Sequence, residues 1–149
     1  MKNTFTRWVS ASLFIVLGLL IAIGPQTFFK PCQGLLQLYE DGAASDRYVP
    51  MKCHWSAVAE IGAGGAIALL GLFLLFFAAS QVRFGLSLAQ LVLGLLSFLI
   101  TTKLIGTCMS KTMECNLVML PMLLVLSSLT IVVSLINVLL LFRDARGKV

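Results

Sequence analysis

Four long apolar stretches set what this chain can fold into. They run Trp8–Ile23, Ala57–Ser80, Phe84–Thr101 and Asn116–Phe142, and occupy more than half of the 149 residues. About 20 consecutive apolar residues, wound as a helix, cross the hydrocarbon core of a bilayer. Strands are a poor reading, because none of the four runs alternates apolar with polar residues as a membrane barrel does. Their apolar residues show no one-sided stripe, which suits helices that face lipid. Composition agrees: 59% of the residues are hydrophobic and 11% charged, against roughly 45–50% and about 25% in soluble chains. A soluble core of this size could not hide so much apolar surface. The net charge of +5 is spread too thinly for a nucleic-acid surface. The expected fold is an all-α integral membrane protein, one four-helix domain over residues 1–149 with a disulfide-stabilised extracytoplasmic loop cap.

The basic residues orient the spans. With the N-terminus in the cytoplasm, the inner pieces 1–7, 81–83 and 143–149 hold six Lys and Arg in 17 residues, namely Lys2, Arg7, Arg83, Arg143, Arg146 and Lys148. The outer pieces 24–56 and 102–115 hold five in 47. Basic density marks the cytoplasmic side, so both termini are expected there. The first span is read as a retained anchor rather than a signal peptide. Its weak cleavage candidate, Gly24-Pro25-Gln26, is not a small-x-small site followed by a polar start.

Cysteine placement gives the same topology. Cys32, Cys53, Cys108 and Cys115 all fall in the two outer loops, the side on which disulfides persist. Each loop holds one Cys early and one just before the next span, the later one preceded two residues earlier by a Met: Met51-Lys52-Cys53 and Met113-Glu114-Cys115. Four cysteines allow three pairings. Within-loop pairing, Cys32–Cys53 and Cys108–Cys115, is the simplest, and crossed pairing would lock the two hairpins together. Two stabilising disulfides are the expectation. The competing reading is a metal or thiol-redox site, since Met51, Cys53, His54, Cys108, Met109, Met113 and Cys115 include the soft ligands that select copper(I). In the first loop, Pro25, Pro31 and Pro50 are expected to break helices. Gly34–Glu40 reads as a short interfacial helix and 42–46 as an exposed turn.

Two features inside the spans remain. Glu60 is the one ionisable residue well within a span. An intramembrane carboxylate is by default a candidate for ion or proton handling, but its place near the outer end favours a structural contact with Lys52 or Lys103. Gly64, Ala68 and Gly71 recur on one side of the second span. Such small residues let helices approach closely, either within this chain or as a docking face for another membrane subunit. Pro121 is expected to kink the fourth span. The chain has no phosphate-binding loop, no zinc-protease helix and no second His for a Ser/His/Asp set, so neither an enzyme nor a resident cofactor is expected.

Met51-Lys52-Cys53-His54-Trp55 followed by Ala59-Glu60-Ile61-Gly62, then Cys108, Met113-x-Cys115-Asn116 and Pro121, resembles the small four-span prokaryotic membrane proteins of the domain of unknown function family 4418. The resemblance runs from about Gly24 to Pro121. It departs from the family pattern at Leu120-Pro121, where a basic residue often precedes the proline. The resemblance implies association with ABC transporters of the macrolide-exporter type. The expected role is therefore a non-enzymatic accessory subunit that docks on a larger membrane protein such as an ABC permease. Copper binding or thiol redox in the outer loops is the alternative.

Overall fold

The computed structural model describes residues 2–28, 35–40, 43–50, 52–77, 79–106 and 115–146, with side chains left out for 2–6, 35–50, 115 and 144–146. Helix α1 spans Lys2–Thr27, α2 Lys52–Phe76, α3 Ser80–Leu99 and α4 Leu120–Arg146. A π-helical turn, Ile100–Leu104, prolongs α3, and another, Cys115–Met119, leads into α4. Four segments are long and apolar enough to cross a membrane, the shortest being the 21 residues Arg7–Thr27. At 1.5 Å per residue that segment is about 30 Å long, the thickness of a hydrocarbon core. The chain is a multi-pass membrane protein.

The two helices that flank the first loop, α1 ending at Thr27 and α2 beginning at Lys52, outrun the expected spans, and that loop is correspondingly shorter. Pro25 does not break α1. It lies in the last turn, where its missing N–H removes a single backbone bond, its ring is fully buried, and Phe28 N–H still closes onto Gly24 O at 2.9 Å. The expected interfacial helix over Gly34–Glu40 and the turn at 42–46 are also corrected. Strands β1 (Leu35–Glu40) and β2 (Ala43–Pro50) pair antiparallel, from Leu35 opposite Pro50 to Glu40 opposite Ala43, with an irregularity between Gln37 and Tyr39. The connecting Asp41-Gly42 is a dipeptide that two-residue hairpin turns favour. That signal outweighs the weak helical pattern before it.

Pro121 is the second residue of α4. Pro121 has no N–H to bond the carbonyl of Leu117, and the backbone widens to π spacing immediately before it.

The helices pair as two hairpins: α1 packs chiefly on α2 and α3 on α4, while α2 joins the pairs through α3 and α1 meets α4 only lightly. Apolar clusters lie in the interior, one of Ile21, Cys53, Ala57, Ile67, Met119 and Leu123, another of Ala11, Phe14 and Leu74. Much of the rest of the interior is polar or small. The buried positions of α3 and its π turn are Arg83, Ser87, Gln90, Gly94, Ser97, Ile100 and Thr101. Those of α4 include Ser127, Thr130, Ser134 and Asn137. Apart from Ile100, these recur every three or four residues, the heptad spacing of one helix seam. The large apolar side chains Leu69, Phe73, Val92, Leu95, Val125, Leu129 and Leu139 point outward. Little hydrophobic drive separates helix from lipid, so polar groups gather inside and apolar ones meet the acyl chains.

Candidate functional site

The polar seam is most concentrated where α2 meets α3. Glu60 is the ninth residue of α2, about 12 Å along the helix from its start, and is 0% exposed. Ser97 and Thr101 are four residues apart, so a single helical face presents both hydroxyls. Ser97 Oγ donates to Glu60 Oε2 at 2.6 Å, and Thr101 Oγ1 donates to Glu60 Oε1 at 3.0 Å. Thr101 Oγ1 also lies 3.1 Å from the carbonyl of Ser97, so its one proton is shared between two acceptors. The 2.6 Å separation is in the range of a hydroxyl bonded to a carboxylate. The expected contact with Lys52 or Lys103 near the headgroups is not made. Both lysines are exposed, and the partners of Glu60 are hydroxyls inside the bundle.

Further hydrogen bonds stitch the same two helices. One turn above Glu60, Ser56 Oγ donates to the carbonyl of Gly106 at 2.8 Å. Gly106 has φ +72°, a conformation that glycine reaches without strain. Deeper, Gln90 Nε2 donates to the carbonyl of Ile67 at 2.9 Å, while its buried Oε1 has no partner among the described residues. Between α3 and α4, Asn137 Nδ2 donates to Ser87 Oγ at 3.0 Å, and Ser87 Oγ donates to the carbonyl of Arg83 at 2.8 Å. Ser127 and Ser134 turn back to carbonyls of their own helix, each at 2.7 Å, which satisfies them without a partner helix.

The small residues proposed as an external docking face are already occupied by α1. A Cβ placed on Gly64 would lie 2.5 Å from Ala22 N and 2.6 Å from Gly18 O. One placed on Gly18 would lie 2.5 Å from Ala68 N, and one on Gly71 would lie 3.0 Å from Ile15 N. Gly64, Ala68 and Gly71 therefore hold two backbones of the same chain together. Their partners Gly18 and Ala22 carry the same spacing of four, a signal visible in the first span but not read there. Ser97 and Thr101 were likewise missed, although a hydroxyl pair four apart in an apolar run is a usable sign of an interior face.

The outer ligand set is only partly visible. Cys32, Met51, Cys108, Met109 and Met113 lie outside the described residues, and Cys115 is described only as backbone at the start of its π turn. Cys53 is buried among Ile21, Ala57 and Met119. The adjacent His54 is exposed, its ring edge-on to Trp55 at 5.9 Å. Consecutive helical residues point about 100° apart, and here they place these two candidate ligands on different sides of α2. Among the described residues no group of three His, Cys, Asp or Glu side chains could hold a metal ion.

A family model described as a domain of unknown function (DUF4418) matches residues 14–140. No curated protein and no solved structure matches the chain.

Proposed function

The chain belongs to this family, and from that premise we propose that it is a non-enzymatic accessory subunit of a membrane complex, docking laterally on a larger membrane protein and modulating it. The partner proposed is an ABC permease of the macrolide-exporter type, which rests on the family resemblance. The observation that carries the docking reading is the division of chemistry between inside and outside. The interior polar side chains bond across to a neighbouring segment or back to their own helix, which leaves few groups for a substrate. The outward faces of all four helices are apolar, and in lipid such faces associate by close packing.

With Gly64, Ala68 and Gly71 engaged by α1, the docking surface moves to the shallow cleft where α1 meets α4, walled by Val9, Leu13, Val133, Ile136 and Leu140 with Ser10 and Asn137 at its floor. The cleft lies in the cytoplasmic half of the bundle under the proposed orientation, in which both termini are cytoplasmic. In the same proposal the outer loops carry two disulfides that cap the bundle. The test is affinity purification of the tagged full-length chain in mild detergent, with subunits identified by mass spectrometry. A permease should co-purify with the wild type and be lost from Leu13→Trp and Ile136→Trp, which enlarge two exposed side chains on the walls of the cleft. Recovery of the wild-type chain alone would reject the proposal.

A further inference from the structure

Glu60 has a feature that lateral docking does not use. Its carboxyl is fully buried in a membrane helix, yet among the described residues no Lys, Arg or His side chain faces it. Its hydrogen-bond partners come from α3 and the π turn, and they are the hydroxyls of Ser97 and Thr101. Lys52 on its own helix and Lys103 on the π turn are exposed at the outer end. Arg83 sits fourteen residues before Ser97, at the opposite end of α3. A buried carboxylate away from any opposite charge is costly, and an intramembrane one that persists marks an ion or proton site by default.

The oxygens around it have the composition of a small-cation site. Glu60 Oε1 and Oε2, Ser97 Oγ, Thr101 Oγ1 and the Ser97 carbonyl are linked by separations of 2.6, 3.0 and 3.1 Å. Hard cations take such carboxylate, hydroxyl and carbonyl ligands. Thr101 belongs to a π turn, an irregularity that recurs at functional sites, and in secondary transporters carbonyls at interruptions of membrane helices coordinate Na⁺. The carbonyl of Ile100 accepts from both Ile105 and Gly106, at 3.2 and 3.1 Å, and the Ser56–Gly106 bond closes the turn over the outer side of the carboxyl. Two turns deeper in the same seam, the buried Oε1 of Gln90 is a further acceptor, without a partner among the described residues.

We propose that Glu60, Ser97 and Thr101 form a binding site for one sodium ion at the α2–α3 junction. One carboxylate balances one positive charge, whereas a divalent ion would leave excess charge in a low-dielectric interior. Two hydroxyls and a carboxyl within hydrogen-bond reach of one another can re-aim their lone pairs around the small Na⁺ with less outward movement than the larger K⁺ demands. Binding ties α2 to α3, so the ion clamps the two helix hairpins together.

The test is thermal unfolding of the purified full-length protein in detergent, at one pH and constant ionic strength, in NaCl, KCl or choline chloride. NaCl should raise the wild-type midpoint by about 5 °C over choline, with a smaller rise in KCl. Glu60→Gln should lose the sodium response and melt no lower than wild type does in choline. Ser97→Ala and Thr101→Val keep the carboxylate and should reduce the response, so they carry the test if Glu60→Gln does not fold. Equal wild-type midpoints in NaCl and choline would overturn the proposal. So would an undiminished sodium response in these variants, a potassium response as large as that to sodium, or a midpoint that follows pH but not sodium, the mark of a carboxyl satisfied by a proton.

Discussion

Replacing Gly64 with alanine is expected to destabilise the folded chain, while the same change at the adjacent Gly65 is not. A Cβ at Gly64 would sit 2.5 Å from a backbone nitrogen of α1, against 3.4 Å for an ordinary contact. The atoms it meets are main chain, so no rotamer change relieves the clash. The helices must part locally by the difference, roughly 0.9 Å. A gap of that size forfeits about a quarter to a half of the attraction between facing atoms, and overpacking of this kind costs about 1–3 kcal/mol. Alanine returns up to about 1 kcal/mol through its better helix propensity. A Cβ at Gly65 meets nothing within 4 Å, so that variant keeps the propensity gain without the clash. The two alanine variants should therefore differ by about 2 kcal/mol, or roughly 4–8 °C in melting midpoint for a chain of this length. Thermal unfolding in detergent, followed by far-ultraviolet circular dichroism, reads this directly. Midpoints for Gly64→Ala and Gly65→Ala within a degree of each other would refute the close α1–α2 crossing.

Tag-accessibility mapping in intact cells should place both termini in the cytoplasm and the loop before Cys53 outside; the reverse pattern would reject the orientation. Mass spectrometry of unreduced, alkylated protein should find no free thiols if the four cysteines form two disulfides, and four labelled cysteines would point instead to the soft-ligand reading. A double-mutant cycle of Ser87→Ala with Asn137→Leu should give a coupling of about 0.6 kcal/mol, the usual worth of an interhelical hydrogen bond in lipid. A coupling of zero would mean that the 3.0 Å contact contributes nothing measurable.

The spans were legible because nothing but a bilayer accommodates four such apolar runs. The interior was less legible because the informative residues in lipid are the minority. Following the apolar positions gives no stripe, since they face lipid on most sides. Following Ser87, Gln90, Gly94, Ser97 and Thr101 gives one, and it carries Glu60's partners. The docking face at Gly64 was misassigned because only one of its two helices was read; Gly18 and Ala22 complete it. The environment of Glu60 could not be deduced from position alone, since nothing local to α2 specifies which side chains of α3 will face it. The hairpin at 35–50 was misread because Leu35–Glu40 is too short for periodicity to separate strand from helix, and Asp41-Gly42 was the better guide.

The sequence distance between Glu60 and its partners has a consequence for biogenesis. Ser97 and Thr101 lie 37 and 41 residues further along. At synthesis rates of about 5–20 residues per second, they follow Glu60 off the ribosome roughly 2–8 seconds later. That interval is open for α1 and α2 to make their Gly18–Gly64 crossing while the carboxyl of Glu60 still has neither of its hydroxyl partners. Arrival of α3 supplies both partners at once, so a chain stopped after its first hairpin would carry an intramembrane carboxyl with neither hydroxyl to bond it.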